Sequence, residues 1–560
     1  MPALAALTLL VLAPLAHAQD TKIQYGGSVQ ADIRFAIPKA DRFPLPWYAP
    51  QPDIGPGIAR DELRWTNKLY ARTGHFGAKA NVALVLPGYT QDLSGLQDMT
   101  QRPKVGPVYF EANELYIEGY DLFPGFDLRV GNQVVDWGAG DRFNPTNTVN
   151  PNDLEDVLLF GEQVGNLMAR ADYTPKWWLT FTGIYVPVFR PALLPASAVY
   201  AFANTDRLPW YDENLRLRVQ AENAAASQLF GYPTVVAGTT VQLPDVAPRN
   251  GQFALRVGAL AGPVNVALSY YNGLSDTPVP IENHTTQTQD PRCAPFGGPC
   301  VNGTLDNQVT LGFPHMQVIG LNLEGDAKLG YRLEAGLFFP ERTPVRITNG
   351  ELSLGPVQRP AGEYPYPSGQ APLAVGRPFA KWTLGVDYTF GKHVYANVQW
   401  VHGFPGEFGA GDWISPGWSV VKGGVTSDAS GTLSCALGED GTQRATETLR
   451  PRKGDFIVAG IDIHLLPVQA LLIRLFGIAD LSGGVTTRWD EASGSRVTDT
   501  YSVFDPQVFS GVIYPEVSYN FGNGLELDGG VLLQVGQAQT QFGDPQTGGS
   551  MVFTRAKFSY

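Results

Sequence analysis

The chain has 560 residues, of which 63 are Gly and 44 are Pro; 11% are aromatic, 17% are charged, and the formal net charge is −13. A charged fraction below the roughly 25% of soluble domains argues against a string of ordinary soluble units, and no composition shift or linker divides the chain. The acidic balance excludes the basic face that nucleic acid requires, and 3 Cys exclude a fold built on disulfides.

Residues 1–18 form a short apolar run ending in Ala16-His17-Ala18. Too short to span a bilayer and closed by a small-x-small pattern, the run reads as a removable secretory signal with Gln19 as the mature start. No Lys or Arg precedes its apolar core, which leaves the true start codon open.

From Gln19 the recurring unit is a strand of about ten residues with period 2. In the first, Val29, Ala31, Ile33 and Phe35 oppose Gln30, Asp32 and Arg34. Others follow near 59–71 and 77–86, and the pattern continues to the C-terminus, where Val552, Ala556, Phe558 and Tyr560 oppose Phe553, Arg555 and Lys557. Tight connections, such as those after Tyr120, Tyr173, Leu260 and Thr389, alternate with long polar ones near 87–107, 137–163, 187–249 and 404–452. This parity predicts an all-β, antiparallel transmembrane barrel of about 18 strands over residues 19–560. Short turns would face the periplasm and long loops the exterior, in a bacterial outer membrane. Tyr70, Tyr120, Trp177, Trp178, Tyr270, Tyr271, Phe338, Phe339, Trp400 and Tyr519 are expected in interfacial girdles.

Lumen-wall cations are expected at Arg34, Arg64, Arg129, Arg170, Arg256, Arg332, Arg474 and Arg555, offset by carboxylates such as Asp32, Glu118, Glu334, Asp387 and Asp462. A solvated, mutually neutralising wall is favoured over a dedicated binding site, since opposite charges on neighbouring strands attract.

The third long connection carries Asn144-Pro145 and Asn150-Pro151, two stiff bends in an Asn- and Asp-rich stretch. Asp141, Arg142, Asn144, Asn150, Asp153, Glu155 and Asp156 are the candidate pore constriction. Glu114, Tyr116, Gly131, Gln133, Trp137, Gly138, Asn144, Pro145, Asn150 and Pro151 together resemble an uncharacterised family of Gram-negative porin-like barrels, related in plan to the alginate-export barrels. Asn132 stands where that family usually has a basic residue. By analogy with general porins, the resemblance implies a third loop folded into the lumen.

Further along, Cys293 and Cys300 bracket a Pro- and Gly-rich turn and are expected to close a hairpin disulfide, leaving Cys435 unpaired. A cross-link from Cys435 to either remains open. His284 and His402, near the long loops, lie in no catalytic motif, so an enzyme is the least favoured class. The favoured function is a porin-like channel for small or polymeric solutes. The alternative is the barrel component of a polysaccharide-export, secretion or motility machine. Outer-membrane lipid, the barrel-assembly machinery and envelope-complex proteins are the expected partners, without nucleic acid, cofactor or metal.

Overall fold

The computed structural model describes residues 21–37, 57–88, 96–140, 142–156, 158, 161–194, 232, 234–289, 303–354, 357–363, 373–375, 378–403, 425–427, 433–435, 450–451, 454–490, 495–536, 540, 542–543 and 549–560. The signal segment, Asp141 and the Cys293–Cys300 turn lie outside them.

Eighteen strands form one sheet. They are β1 (Lys22–Ile37), β2 (Gly57–Thr73), β3 (Phe76–Pro87), β4 (Tyr109–Phe123), β5 (Phe126–Gln133), β6 (Asn166–Lys176), β7 (Leu179–Val186), β8 (Gln252–Ala261) and β9 (Val264–Leu274). The second half comprises β10 (His315–Asp326), β11 (Gly330–Pro340), β12 (Phe379–Phe390), β13 (Val394–His402), β14 (Asp455–Leu465), β15 (Leu471–Asp480), β16 (Ser510–Asn520), β17 (Leu525–Gly536) and β18 (Ser550–Ser559). Each pairs antiparallel with its sequence neighbour, and β18 returns to β1 with Val29 opposite Phe558 and Asp32 opposite Arg555. The sheet is therefore a closed barrel with no free edge, which satisfies every ladder internally.

Alternation sorts the side chains. Val29, Ile33, Phe35, Leu255, Ile319, Leu337, Val398 and Val552 point outward and are exposed. Residues between them, including Asp32, Arg34, Glu334 and Gln399, point inward and are buried. The expected girdle needs correction. Trp177, Trp178, Phe339, Trp400 and Tyr519 are exposed, but Tyr271 and Phe338 are buried on the inner face, and Tyr70 and Tyr120 face inward with their hydroxyls 3.0 Å apart. Adjacent aromatics such as Tyr270-Tyr271 and Phe338-Phe339 cannot both point outward from a strand of period 2.

The long connections also hold structure that the alternation of loop lengths did not reveal. Residues 234–241, 279–289, 303–312, 346–349 and 362–363 build a separate five-stranded sheet from three loops. Segment 279–289 pairs parallel with 346–349, and 303–312 pairs parallel with 234–241. These pieces are rich in Thr and Val, which favour strands wherever a partner is supplied.

Candidate functional site

The connection from β5 to β6, residues 134–165, is the third long loop. The sequence pattern carries β5 to Trp137, but the strand stops at Gln133. Asn side chains take over from the missing neighbour. Asn150 Oδ1 accepts from the Val135 N–H at 2.8 Å, and its Nδ2 donates to the Gln133 carbonyl at 2.7 Å. Asn147 Oδ1 accepts from the N–H groups of Trp137 and Gly138, at 2.6 and 2.7 Å. Gly138 is obligatory here, because a Cβ would lie 2.2 Å from Asn144 Cγ. The Asn-Pro stretch thus folds on itself using its own amides.

The loop lies inside the barrel and is fixed to opposite walls. On one side, Glu334 of β11 is fully buried and accepts four hydrogen bonds from the loop. They come from the N–H groups of Ala139 (2.7 Å), Gly140 (3.2 Å) and Thr146 (2.7 Å) and from Thr146 Oγ1 (2.7 Å). Asn322 Nδ2 of β10 donates to the Trp137 carbonyl at 2.5 Å, and Thr383 Oγ1 of β12 to the Phe143 carbonyl at 2.7 Å. On the other side, Asp156 forms a two-pronged pair with Arg34 of β1, at 2.5 and 2.7 Å, and meets Arg60 of β2 at 3.1 Å. Arg60 also holds Glu155 at 3.0 Å. In an eighteen-strand ring, β1 and β2 stand nine strands from β10 and β11, so the loop spans the lumen.

Apolar packing closes the remaining arc. Val135, Trp137 and Val149 of the loop join Met168, Ile184, Val186, Ala254, Tyr271, Met316, Val318, Phe338 and Phe379 from β6 to β12. Phe143 and Leu158 join Val401, Phe456, Val458, Ile478, Val512, Tyr514, Leu532, Met551 and Phe553 from β13 to β18, with Phe542 of the last loop. Among the described residues, two spaces flank the loop. One, of about 100 Å³, lies towards the loop ends between Asn144–Asn152 and the tops of β9 to β13. The other, of about 270 Å³, lies towards the turn ends among Tyr395, Asn397, Asp462, Arg474, Glu516 and Arg555.

The candidate residues divide by role. Asn144 and Asn150 serve the loop's own geometry, and Arg142 lines the turn-side space. Glu155 and Asp156 are tied to arginines rather than free. Burial opposes ionisation of Asp156, but the Arg34 hydrogen bond and the charges of Arg34 and Arg60 outweigh it and hold its carboxyl below the usual range. Asp153, half-buried, and Glu162, at the surface, lack such partners and are pushed upward by desolvation and by neighbouring carboxylates. The eight wall arginines share the inward face. Arg64 pairs with Glu62 and Glu111, Arg129 with Glu118, Arg170 with Asp172, Arg332 with Asp387, Arg474 with Asp462 and Arg555 with Asp32. Arg256 has no carboxylate within ion-pair distance among the described residues, and its Nε is buried without a hydrogen-bond partner. The two loop histidines have structural partners. His402 stacks on Trp382 at 3.9 Å with Nδ1 2.9 Å from Asp455, and His284 Nδ1 lies 2.8 Å from Thr348 Oγ1.

Sequence reasoning missed Glu334 as the loop's anchor and Phe143 and Leu158 as its apolar contacts. Glu334 looks like any other wall carboxylate until the cross-barrel register is known.

The family model described as "Protein of unknown function (DUF1302)" matches residues 108–431, a span that includes the loop and its anchor Glu334. The chain belongs to this family. No curated protein matches this DUF1302 chain. Among solved structures, it is similar to Acinetobacter baumannii OccAB3 at 9% identity, over 96% of this chain and 99% of that one, with a TM-score of 0.42. It is also similar to a BenF-like porin from Pseudomonas fluorescens Pf-5 (10% identity, 97% and 98% covered, TM-score 0.40). A third is the outer membrane protein opdK of Pseudomonas aeruginosa (8% identity, 96% and 99% covered, TM-score 0.42). At such identities and scores, nothing about solutes carries over to the DUF1302 chain.

Proposed function

We propose that this barrel is an outer-membrane channel for small solutes, narrowed by its third loop. The observation that carries the reading is the loop tied across the lumen between Glu334 and the Arg34–Arg60 pair. Eighteen strands at about 4.8 Å spacing and about 40° tilt enclose a ring roughly 35 Å across, too wide for wall side chains to fill. A loop held in the middle, with spaces on both sides, is what a selective passage requires. The outward apolar face suits a lipid setting, and the inward charges suit water.

The test is single-channel recording in planar bilayers. Deleting Arg142 to Asn152 should raise conductance and relax size exclusion while the barrel stays folded. Unchanged conductance would put the loop outside the permeation path. A second reading, a surface-binding component of an export, secretion or motility machine, draws its support from the five-stranded sheet on the loop side. Loss of cell-surface binding, with conductance intact, on removing residues 279–312 would favour it.

A further inference from the structure

We infer that Phe143 is the gate between the two internal spaces, and that the channel favours neutral, ring-bearing solutes over hydrated ions and plain sugars. The inference rests on the channel reading. Phe143 lines both spaces and is 2% exposed. It belongs with Leu158 to the apolar cluster that includes Val401, Val458 and Phe553.

Three features make this a barrier and not only a contact. First, every strand from β6 to β18 contributes a buried inward apolar side chain to the two clusters around the loop. A hydrated ion crossing that arc would shed water against apolar side chains, because the buried polar groups there, Glu334, Asn322 and Thr383, are already bonded to the loop. Second, where the loop meets β1 and β2, Arg34, Arg60, Asp32, Glu62, Glu155 and Asp156 are paired with one another, so that side presents matched charge. Third, the backbone around Phe143 is held. Glu334 fixes Gly140 and Thr146 on either side, and Thr383 fixes the Phe143 carbonyl. The movable part is therefore the benzyl group, which can open a path by changing rotamer while the loop stays seated.

The chambers indicate what would pass. The loop-side one presents the stacked rings of Phe338 and Phe379, 4.8 Å apart with Lys381 Nζ over both, beside Asn147, Thr148, Asp276 and Thr277. The turn-side one presents Tyr395, Phe476 and Tyr514, the last stacked at 5.4 Å on Phe553, while Arg474 is matched by Asp462. Rings to stack on, with amides, hydroxyls and largely paired charges to hydrogen-bond, suit a solute with an aromatic or alicyclic body carrying hydroxyls. Such a body can replace the Phe143 ring against the wall, whereas potassium or a disaccharide cannot.

The test uses the full barrel in liposomes and planar bilayers, with salicin as the neutral ring-bearing probe, maltose as the sugar and KCl as the ion. Wild type should show no steady steps in KCl, and salicin should enter at least about tenfold faster than maltose, the discrimination expected of an apolar pocket. Phe143→Ala should conduct KCl and admit maltose, and Phe143→Trp should stay closed to both. Heat-shifted gel mobility verifies that each variant is folded, with Phe143→Leu as the milder opening variant should alanine disturb the loop. Steady KCl steps in wild type, or equal entry of salicin and maltose, would overturn the inference. So would silence of folded Phe143→Ala and Phe143→Leu while the Arg142–Asn152 deletion conducts. If the deletion is silent too, the channel reading falls, and the gate falls with it.

Discussion

Glu334 and Asp156 hold the two ends of the inward loop by different means, and each can be removed alone. Glu334→Ala leaves the N–H groups of Ala139, Gly140 and Thr146 unpaired in a buried site, at about 1–3 kcal/mol apiece. The expected result is a loss of hydrogen-exchange protection across Ala139–Thr146 with strand amides unaffected. Retained protection would make the clasp dispensable. For Asp156 the folded pKa is depressed, so its stabilisation is present above the unfolded carboxyl value and disappears as pH falls through the lower folded one. Asp156→Asn should therefore cost about 1–3 kcal/mol of loop stability at neutral pH, since it removes a charged hydrogen-bond partner from Arg34, which keeps Asp32. Wild type and variant should converge in strong acid. A gap that widens on acidification, in thermal unfolding followed at several pH values, would contradict the assignment. Residue types were the legible part of this site: the Asn-Pro bends and the carboxylates of 153–156 stand out in the sequence. Their partners were not, because Arg34, Glu334 and Thr383 reach the loop only once the ring has closed.

Among the elements, the seam between β1 and β18 has a fastening of its own. Gly27 and Tyr560 exchange both backbone hydrogen bonds at 3.0 Å. The Tyr560 ring then crosses β1 to β2, where its hydroxyl accepts from Trp65 Nε1 at 2.9 Å and donates to Asn67 Oδ1 at 3.0 Å. Only a residue without a side chain leaves room, since a Cβ at Gly27 would sit 2.6 Å from the Tyr560 hydroxyl. Gly27→Val should lower the temperature at which the folded band disappears on gels, by about 1–2 °C for a loss of about 1–2 kcal/mol in a chain of this length. Trp65→Phe should do so to a smaller extent, because it removes one hydrogen bond and keeps the packing. An unchanged Gly27→Val band would show that the ring is not seated there. The strands themselves were readable because polar and apolar residues alternate along them. The loop sheet was not, since segments such as 279–289 pair with partners far away in the chain.

At the scale of the whole molecule, the barrel plan was legible from the alternation of tight and long connections, which encodes which ends of the strands meet. The inward seat of the third loop was hidden for a specific reason. Around Val401, Phe456 and Val458 the strands are apolar on both faces, outward to lipid and inward to the loop, so alternation fades where the plug is seated. The plug also dictates an order of events. Phe143 packs in one cluster with Phe553, which lies 410 positions further along the chain. Contacts of such long range form late, after the entropy of closing that chain has been met. A newly inserted barrel should therefore pass through a wet, leaky stage before the third loop seats. Refolding into vesicles should show sheet formation first, then a slower phase in which ion leakage ceases. Maturation would be the moment the protein stops conducting.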